Sequence, residues 1–477
     1  VHIFDQSFWP PVRDDIEAGL MSTWKYFEHG WDVTAGGPSL QQMQADKEQW
    51  TQDLENAVVG AVASAESSVA GLFDTPSGQD RLAVFNPLGF TRTDFADYQV
   101  ADGDMGPFRV TIVGTSTEVP SQVIQRNGNT YLRFLAQNVP SLGYRLFRLR
   151  REAPAAKPDA AVIDEQARSI ESALYRVVLG DEGEITSAID KKPAPDVELA
   201  GTGGLANYRT GSVVSVSAEN VGPVSATLMM SLSNPDREMR ITLFKDIDRI
   251  EIEHAITQNE TGDRLLVFDS DLSGSKIRFE EIGAIARPGL VNQGGDLLQG
   301  TRAGRMTLNH FADFALSNYH MVLSNWDAFA MQVNNSTDSA FRLNGSTVNV
   351  VVMERQSGAG SADQGGDDFF LNRFALRGVS GAYNGAEAMR TSMAHQNPLH
   401  VIQLPRNQAG DLTASTGSLL AIDSNNLVVT ALKPAEDAGA GFVVRLWELQ
   451  GRISYVRLEA SSTGAQSAWE TSHVETD

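Results

Sequence analysis

One short segment carries the residue types that metal chemistry needs. His29 stands between Glu28 and Asp32 in the sequence Tyr-Phe-Glu-His-Gly-Trp-Asp. A neutral imidazole can bind a divalent metal, and a neighbouring carboxylate can hold the ring in the required tautomer. The alternative is a histidine at a helix end whose ring is satisfied by a nearby acid. Since one histidine is not a metal site, the residue types alone favour that alternative.

The other histidines form no further metal motif. They show neither His-x-His nor His-Glu-x-x-His spacing, so an independent local zinc site is not expected. His254 shares a presumed strand with Glu251 and Glu253 and is predicted to lie on the solvated face. His310 and His320 flank an aromatic stretch and are predicted to pack rather than to catalyse. The remaining histidines are scattered: His2, His395, His400 and His473.

One acidic loop is a candidate for cation or sugar binding. Asp363, Asp367 and Asp368 lie in a Gly-rich stretch before two phenylalanines. A solvated loop is the commoner outcome for such a charge run. Glycoside hydrolysis needs two carboxylates that face each other across the scissile bond, and pairing in space cannot be inferred from the spacing of the acids.

Three tryptophans are candidate sugar platforms, because an aromatic face suits the apolar face of a sugar ring. They are Trp326, Trp447 and Trp469. Core packing is the competing role for each, since aromatic side chains dominate core burial. That competing role is strongest for Trp447, which lies in a strand-like run.

Composition and charge exclude several classes of protein. The 477 residues include 60 Asp and Glu against 38 Lys and Arg, a formal net charge of −22 at pH 7. Such a chain suits neither a nucleic-acid backbone nor an anionic membrane surface, both of which attract clustered basic residues. With no cysteine, a disulfide framework, a thiolate metal site and a cysteine nucleophile are excluded. No apolar run approaches the roughly 20 residues of a membrane span, and the cytoplasm is the predicted compartment.

The elements that would position these residues change in type along the chain. Apolar residues spaced by three and four predict helices over about 13–27 and from Leu40 to about 73. From Arg81 onwards, short apolar or alternating runs between Gly, Pro and Asn clusters predict strands. The predicted fold class is therefore mainly β, with a linker at 152–167. The predicted parts are a helical bundle segment at 1–75, a small β domain at 76–151, a large β-sandwich at 168–398, a C-terminal β module at 399–460 and a polar tail at 461–477.

Five segments, in collinear order over about residues 26–450, match the pattern of one enzyme family. The first is Glu28-His29-Gly30-Trp31 with the helix behind it, where the family has Glu-His-Thr-Trp. The others are the Val-Phe-Asn-Pro-Leu strand at 82–93, the two Val-Pro segments at 119–122 and 139–144, the Tyr-Arg-Val hairpin at 175–192 and the Thr-Ala-Leu-Lys-Pro strand pair at 429–448. Together they resemble the C-terminal half of the glycoside hydrolase family 38 α-mannosidases, especially the bacterial type.

The resemblance implies a fold: a helical bundle, a small β domain, a large mutarotase-like β-sandwich and a small C-terminal β domain. In the family, an α/β barrel precedes this region and carries the nucleophilic aspartate, the acid/base carboxylate and most zinc ligands. Val1 would then be a trimmed or processed start, and this chain would contain no catalytic residue. A homo-oligomer is compatible with this organisation.

The resemblance also implies a cofactor and a reaction. His29 matches the family histidine that supplies one zinc ligand, so zinc is the implied cofactor. The implied substrate is a terminal α-mannoside, hydrolysed with retention by a carboxylate nucleophile while zinc holds the vicinal hydroxyls of the sugar.

Three hypotheses about function stay open at this point. The first is a region of an α-mannosidase-type hydrolase that supports a catalytic domain outside this chain. The second is a non-catalytic carbohydrate-binding or structural β-sandwich protein derived from such an enzyme. The third is another enzyme on a mutarotase-like sandwich, a lyase or an epimerase, that uses histidine and acidic residues of 240–400.

Overall fold

The described part of the chain begins with two helices. The computed structural model describes residues 9–26, 40–353, 369–435, 441–460 and 463–472. Helix α1 spans Trp9–Tyr26 and helix α2 spans Leu40–Gly71, close to the predicted bounds. The helices pack together at Gly19, where an added Cβ would lie 3.0 Å from the Cβ of Ala57. Within the described residues, no helix is long and apolar enough to cross a bilayer.

β-Strands, one further α-helix and a short 3-10 helix at Val291–Gln293 make up the other regular elements of the described residues; strands and α-helices are numbered in chain order. The first six strands are β1 (Asp80–Asn86), β2 (Arg92–Gln99), β3 (Arg109–Ile112), β4 (Ser121–Arg126), β5 (Asn129–Val139) and β6 (Gly143–Arg150). The next twelve are β7 (Ala161–Asp164), β8 (Ser169–Ser172), β9 (Tyr175–Leu179), β10 (Ile185–Asp190), β11 (Val197–Glu198), β12 (Ser212–Glu219), β13 (Ser225–Ser233), β14 (Arg237–Phe244), β15 (Ile250–Ile256), β16 (Arg264–Asp269), β17 (Lys276–Glu281) and β18 (Ala284–Ala286). The last group is β19 (Met306–Thr307), β20 (Phe311–Ala315), β21 (Tyr319–Asn325), β22 (Ala330–Val333), β23 (Thr347–Met353), β24 (Phe370–Ser380), helix α3 (Gly385–Gln396), β25 (His400–Leu404), β26 (Thr416–Ser418), β27 (Ala421–Ile422), β28 (Leu427–Pro434), β29 (Phe442–Glu448) and β30 (Leu458–Glu459).

Two sheets face each other in the small β domain. One has the strand order β2-β5-β4, and the other has the order β25-β1-β6-β26 with β3 also paired to β6. Their shared core includes Leu82, Phe134 and Phe147, and the two phenylalanine rings lie 5.1 Å apart. Strands β25 and β26 lie beyond the predicted boundary at 398 and yet flank β1 and β6. The start of the predicted C-terminal module therefore completes the small β domain.

A second pair of layers forms the large β-sandwich. In the part of the chain that the structure describes, nine strands form one sheet in the order β12-β13-β14-β15-β24-β21-β20-β17-β18. The sheets β11-β10-β9-β8-β7 and β16-β23-β22-β19 lie against it. Apolar side chains from all three sheets fill the space between the layers, where the rings of Phe268 and Phe374 lie 5.1 Å apart. The predicted mainly β fold, with helices at the start, is confirmed.

The outer face of the nine-stranded sheet is covered at two places. Helix α3, which was not predicted and lies within the predicted β-sandwich at 168–398, packs on β20 and β21 through a cluster that includes Val322 and Met389. Asn384 caps this helix, because its side chain accepts hydrogen bonds from the backbone N–H groups of Ala386 and Glu387. The sheet β2-β5-β4 covers the face near β13 and β14, where the rings of Phe95 and Phe244 stack at 5.4 Å.

Candidate functional site

The predicted metal ligand lies outside the described residues. The same holds for its neighbours Glu28 and Asp32, and for the acidic loop with Asp363, Asp367 and Asp368. Among the residues that are described, no group of three or more His, Asp or Glu side chains could hold a metal ion. The described residues therefore provide no donor set that fits zinc, and His29 stays a predicted ligand.

His254 lies in the core, so its predicted place on a solvated face is wrong. Successive residues of β15 point to opposite faces, which places Glu251 and Glu253 outward and His254 inward, 1 % exposed. The ring lies 5.6 Å from that of Tyr208, and neither ring nitrogen has a hydrogen-bond partner among the described residues. Burial, reinforced by the charge of Arg237, lowers the pKa of His254 to about 3. The ring is therefore neutral at physiological pH and cannot serve as a cationic site residue.

His320 and His310 each contact a buried carboxylate. His320 and Asp313 are wholly buried beneath helix α3, with Nδ1 of the histidine 2.6 Å from Oδ2 of the aspartate. Burial raises the pKa of Asp313, although the contact with His320 opposes that shift. Nδ1 of His310 lies 2.8 Å from Oε2 of Glu280. These pairs connect elements of the outer sheet face.

Of the three candidate tryptophans, only Trp326 lines one of the two cavities described below. Trp447 is half-buried against the apolar cluster under helix α3, and Trp469 is 72 % exposed. The guanidinium carbon of Arg373 lies 3.9 Å from the ring centroid of Trp326. The ring of His395 meets Trp326 edge-on at 5.4 Å. Two neighbours therefore hold Trp326 in a defined orientation.

A groove of about 620 Å³ lies between the sheet β2-β5-β4, the outer face of the nine-stranded sheet and the end of helix α3. We call it the outer-face groove. Its floor consists of polar side chains that alternate along β13, β14 and β15 with core residues; they are Thr227, Arg240, Thr242, Glu251 and Glu253. Trp326, Arg373 and His395 form one wall, and the β4–β5 turn with Arg126 and Asn127 forms the opposite one. The groove is therefore bounded mainly by regular elements.

Two ion pairs help to connect the small β domain to the large β-sandwich beside the outer-face groove. Arg249 donates hydrogen bonds of 3.0 and 2.9 Å to the two carboxylate oxygens of Asp94. Arg133 donates two of 2.8 Å to Asp97. The Asp94–Arg249 pair joins β2 of the small β domain to the sandwich, and Arg133 adds a bond of 3.1 Å to Ser225 on β13. Bidentate pairs of this kind are strong and geometrically specific.

A second cavity, of about 500 Å³, shares Asp94 and Arg249 with the groove. Here Nε of Arg377 donates a hydrogen bond of 2.9 Å to Asp248, which Lys192 also contacts. Burial alone would raise the pKa of Asp248, but the charges of Lys192 and Arg377 hold it below its ordinary value. A carboxylate that is ionised and paired in this way positions its neighbours and is a poor proton donor.

Sequence reasoning missed most of the groove residues. Glu251 and Glu253 were noted only as neighbours of His254, whereas Asp94 and Arg249 gave no local signal, because 155 positions separate them. The usable signal was the polar alternation of Thr242 on β14 and of the two glutamates on β15. It marks a solvated face of the sheet.

Comparison with known proteins gives structural matches only. No protein-family model matches the chain. No curated protein matches it either. Among solved structures, it is similar to an α-mannosidase from Enterococcus faecalis V583, with 12 % identity and a TM-score of 0.66. It is also similar to a protein in glycosyl hydrolase family 38 from Enterococcus faecalis, with 11 % identity and a TM-score of 0.70.

These matches cover most of this chain but little more than half of each of the two Enterococcus proteins. They span 88 % and 94 % of the present residues, but only 56 % and 62 % of the respective Enterococcus chains. At such low identity the likeness is one of fold. The predicted resemblance to the family 38 α-mannosidases is confirmed at that level.

Proposed function

We propose that this chain is the β-rich region of an α-mannosidase of the family 38 type, and that it supports a catalytic domain outside these residues. The observation that carries the proposal is the fold likeness over 94 % of the chain to a family 38 protein. In this proposal the substrate is a terminal α-mannoside, and the cytoplasm remains the predicted compartment.

The segments that resemble the family support the proposal, because they form joints of the fold. By a joint we mean a set of hydrogen bonds that connects separate segments of the chain. Asn86 is the centre of one joint: its side-chain amide donates hydrogen bonds to the backbone oxygens of Phe90, at 2.7 Å, and Pro140, at 3.0 Å. The same side chain accepts bonds from the backbone N–H of Leu88, at 3.1 Å, and from Nε of Arg92, at 3.0 Å. The Asn-Pro-Leu and Val-Pro segments thus meet at one buried side chain.

The Tyr-Arg-Val hairpin, β9–β10, forms a second joint. The hydroxyl of Tyr175 donates a hydrogen bond of 2.7 Å to Asp248, and that of Tyr319 donates one of 2.7 Å to Asp190. Nζ of Lys192 donates one of 3.0 Å to the backbone oxygen of Gly378 on β24. These bonds fasten the hairpin to the nine-stranded sheet, which is a scaffolding role.

In this proposal, catalysis depends on residues outside the chain. Retaining glycosidases use one carboxylate as nucleophile and one as acid/base, and the carboxylates of both cavities described above are tied to arginine or lysine. The present residues would orient the catalytic domain through the helical segment and the small β domain. His29 would supply one of several zinc ligands.

Hydrolysis of aryl glycosides tests the proposal. The longest polypeptide that the gene encodes is expected to cleave an aryl α-mannoside faster than the matching β-mannoside or α-glucoside. The 477-residue chain alone is expected to be inactive. A longest product that cleaves none of these substrates, or prefers another sugar, would contradict the proposal.

Metal analysis tests the place of His29 separately. In the longest polypeptide, His29→Ala is expected to lower the zinc content and the activity together. The matched control is His400→Ala, since His400 is an exposed histidine that contacts Glu66. If His29→Ala leaves zinc content and activity at the level of the control, His29 is not a ligand.

A further inference from the structure

We propose that the outer-face groove is a binding site for a neutral oligosaccharide of two or three sugar units. The inference goes beyond the proposed hydrolase, because it concerns a binding site that this chain would contain by itself. The groove volume of about 620 Å³ falls within the ~300–1,000 Å³ of typical ligand sites.

The charge of the groove points to a neutral ligand. Its lining contains five acids and five arginines, which cancel, in a molecule whose formal net charge is −22. His395 adds no charge, because burial, with help from Arg249 and Arg373, lowers its pKa well below the ordinary value. An anionic ligand would need an excess of basic groups, and a cation an excess of acids. A balanced lining with many donors and acceptors fits a polyhydroxylated, uncharged molecule.

The floor of the groove provides hydrogen-bonding groups of the kind that hydroxyl groups use. The side chain of Glu253 is 36 % exposed, and its ion-pair contact with Nη1 of Arg240 is long, at 3.5 Å. Burial raises the pKa of Glu253, although the charges of three nearby arginines oppose that shift. Such a rise is expected for a carboxylate on a partly solvated sheet face. A sugar hydroxyl can donate to Glu253 and accept from Arg240. Such a paired use of carboxylate and guanidinium satisfies both groups when water is displaced.

Trp326 supplies the apolar contact. It is half-buried in the groove wall, and Arg373 and His395 hold its orientation. Nε and Nη2 of Arg373 are themselves fixed by hydrogen bonds of 3.0 and 2.6 Å to Asp327. A ring that is already ordered loses little conformational freedom when a ligand packs against it. The groove thus combines an ordered aromatic wall with a polar floor.

Calorimetric titration of the 477-residue chain tests the inference. The probes are three neutral trisaccharides, mannotriose, maltotriose and cellotriose, and one anionic trisaccharide of similar size, trigalacturonic acid. At least one neutral probe is expected to bind, and about tenfold or more tightly than the anionic one. If no neutral trisaccharide binds, or if the anionic one binds as well or better, the inference fails.

Variants locate the binding in the groove. Glu253→Gln and Trp326→Ala are each expected to weaken binding of the neutral probe about tenfold or more. The matched controls, Glu281→Gln and Trp469→Ala, change residues outside the groove and are expected to leave affinity within about twofold. Unchanged affinity in Glu253→Gln would overturn the inference, and this variant decides the matter if Trp326→Ala fails to fold.

The binding experiments and the hydrolysis assay test the two proposals independently. Binding is measured without any catalytic domain, so loss of α-mannosidase activity in the longest polypeptide would leave the groove result standing. Conversely, a groove that binds no sugar would leave the hydrolysis assay unaffected.

Discussion

At the scale of single residues, Asp94 joins the small β domain to the sandwich. It is 3 % exposed, and its carboxylate accepts two hydrogen bonds from Arg249 and lies 3.5 Å from Nη1 of Arg92. Asp94→Asn leaves two buried guanidinium groups without their shared counter-charge. We expect the free energy of unfolding, measured with urea at pH 7, to fall by about 3 kcal/mol.

The control for Asp94 is an exposed aspartate in a pair of similar geometry. Asp296 contacts Arg287 at 2.6 Å, and both side chains are more than a third exposed. Asp296→Asn is expected to cost less than about 1 kcal/mol. Equal losses of unfolding free energy in the two variants would mean that burial does not make the Asp94 pair more important for stability than an exposed pair.

His254 makes stability depend on pH. Its pKa is about 3 in the folded protein and near 6.5 when unfolded, so below pH 6.5 the unfolded chain binds a proton that the folded chain does not. Stability from the neutral ring is complete above pH 6.5 and is lost as the pH falls toward 3. Between pH 7.5 and 5.0 this loss amounts to about 2 kcal/mol.

The variant His254→Leu should remove that part of the pH dependence. Leucine has no ionisable ring, and the histidine nitrogens it replaces have no partner among the described residues. The measurement is urea unfolding of both proteins at the two pH values. Identical pH dependence in the variant and the parent would show that protonation of His254 does not contribute.

At the scale of elements, Gly143 lets β6 pair with β26. An added Cβ at this position would lie 2.1 Å from the backbone oxygen of Gly417, which cannot move without breaking the pairing. We expect Gly143→Ala to destabilise the protein by about 1–3 kcal/mol in thermal or urea unfolding. Gly60→Ala in α2 is the control, because open space surrounds that position, and helix propensity predicts a gain of about 1 kcal/mol. If Gly143→Ala leaves the stability unchanged, β26 does not pair with β6 in solution.

The helices and strands that could be predicted from the sequence are those with a strong local pattern. Helices α1 and α2 follow from apolar spacing, whereas the hairpin β9–β10 and the strand pair β28–β29 follow from the resemblance to the family 38 α-mannosidases. Helix α3 escaped prediction because it is short and its apolar residues are mostly small, between two strands with clearer signals. The pairing of β1 with β25 escaped prediction because pairing between residues about 320 positions apart leaves no local trace.

The two candidate sites also differ in how far they can be predicted from a local sequence pattern. His29 was found because its neighbours in sequence share the chemistry, and it lies outside the described residues. The outer-face groove gathers side chains from β2, β4, β5, β12, β13, β14, β15, β24 and helix α3. Such a site exists only after folding, so spacing along the chain cannot reveal it.

At the scale of the whole molecule, the small β domain depends on two segments that lie far apart along the chain. Removal of residues 399–477 deletes β25 and β26 and takes Leu399 out of the domain core. We expect the shortened chain to be cleaved by protease within 80–150 much faster than the full chain. A chain ending at residue 460 keeps both strands and is the control. Equal cleavage rates in the shortened and full chains would contradict a shared domain.

The pairing of β1 with β25 also sets an order of events during synthesis on the ribosome. About 250 residues separate the end of β6 from the start of β25. At roughly 5–20 residues per second, the first strands emerge about 12–50 s before their missing neighbour. During that interval the edge of β1 that will pair with β25 is unpaired, and such an edge favours pairing with other nascent chains. Slow translation or chaperone capture over 151–399 would therefore change the yield of native protein more than it would for a domain built from one continuous segment.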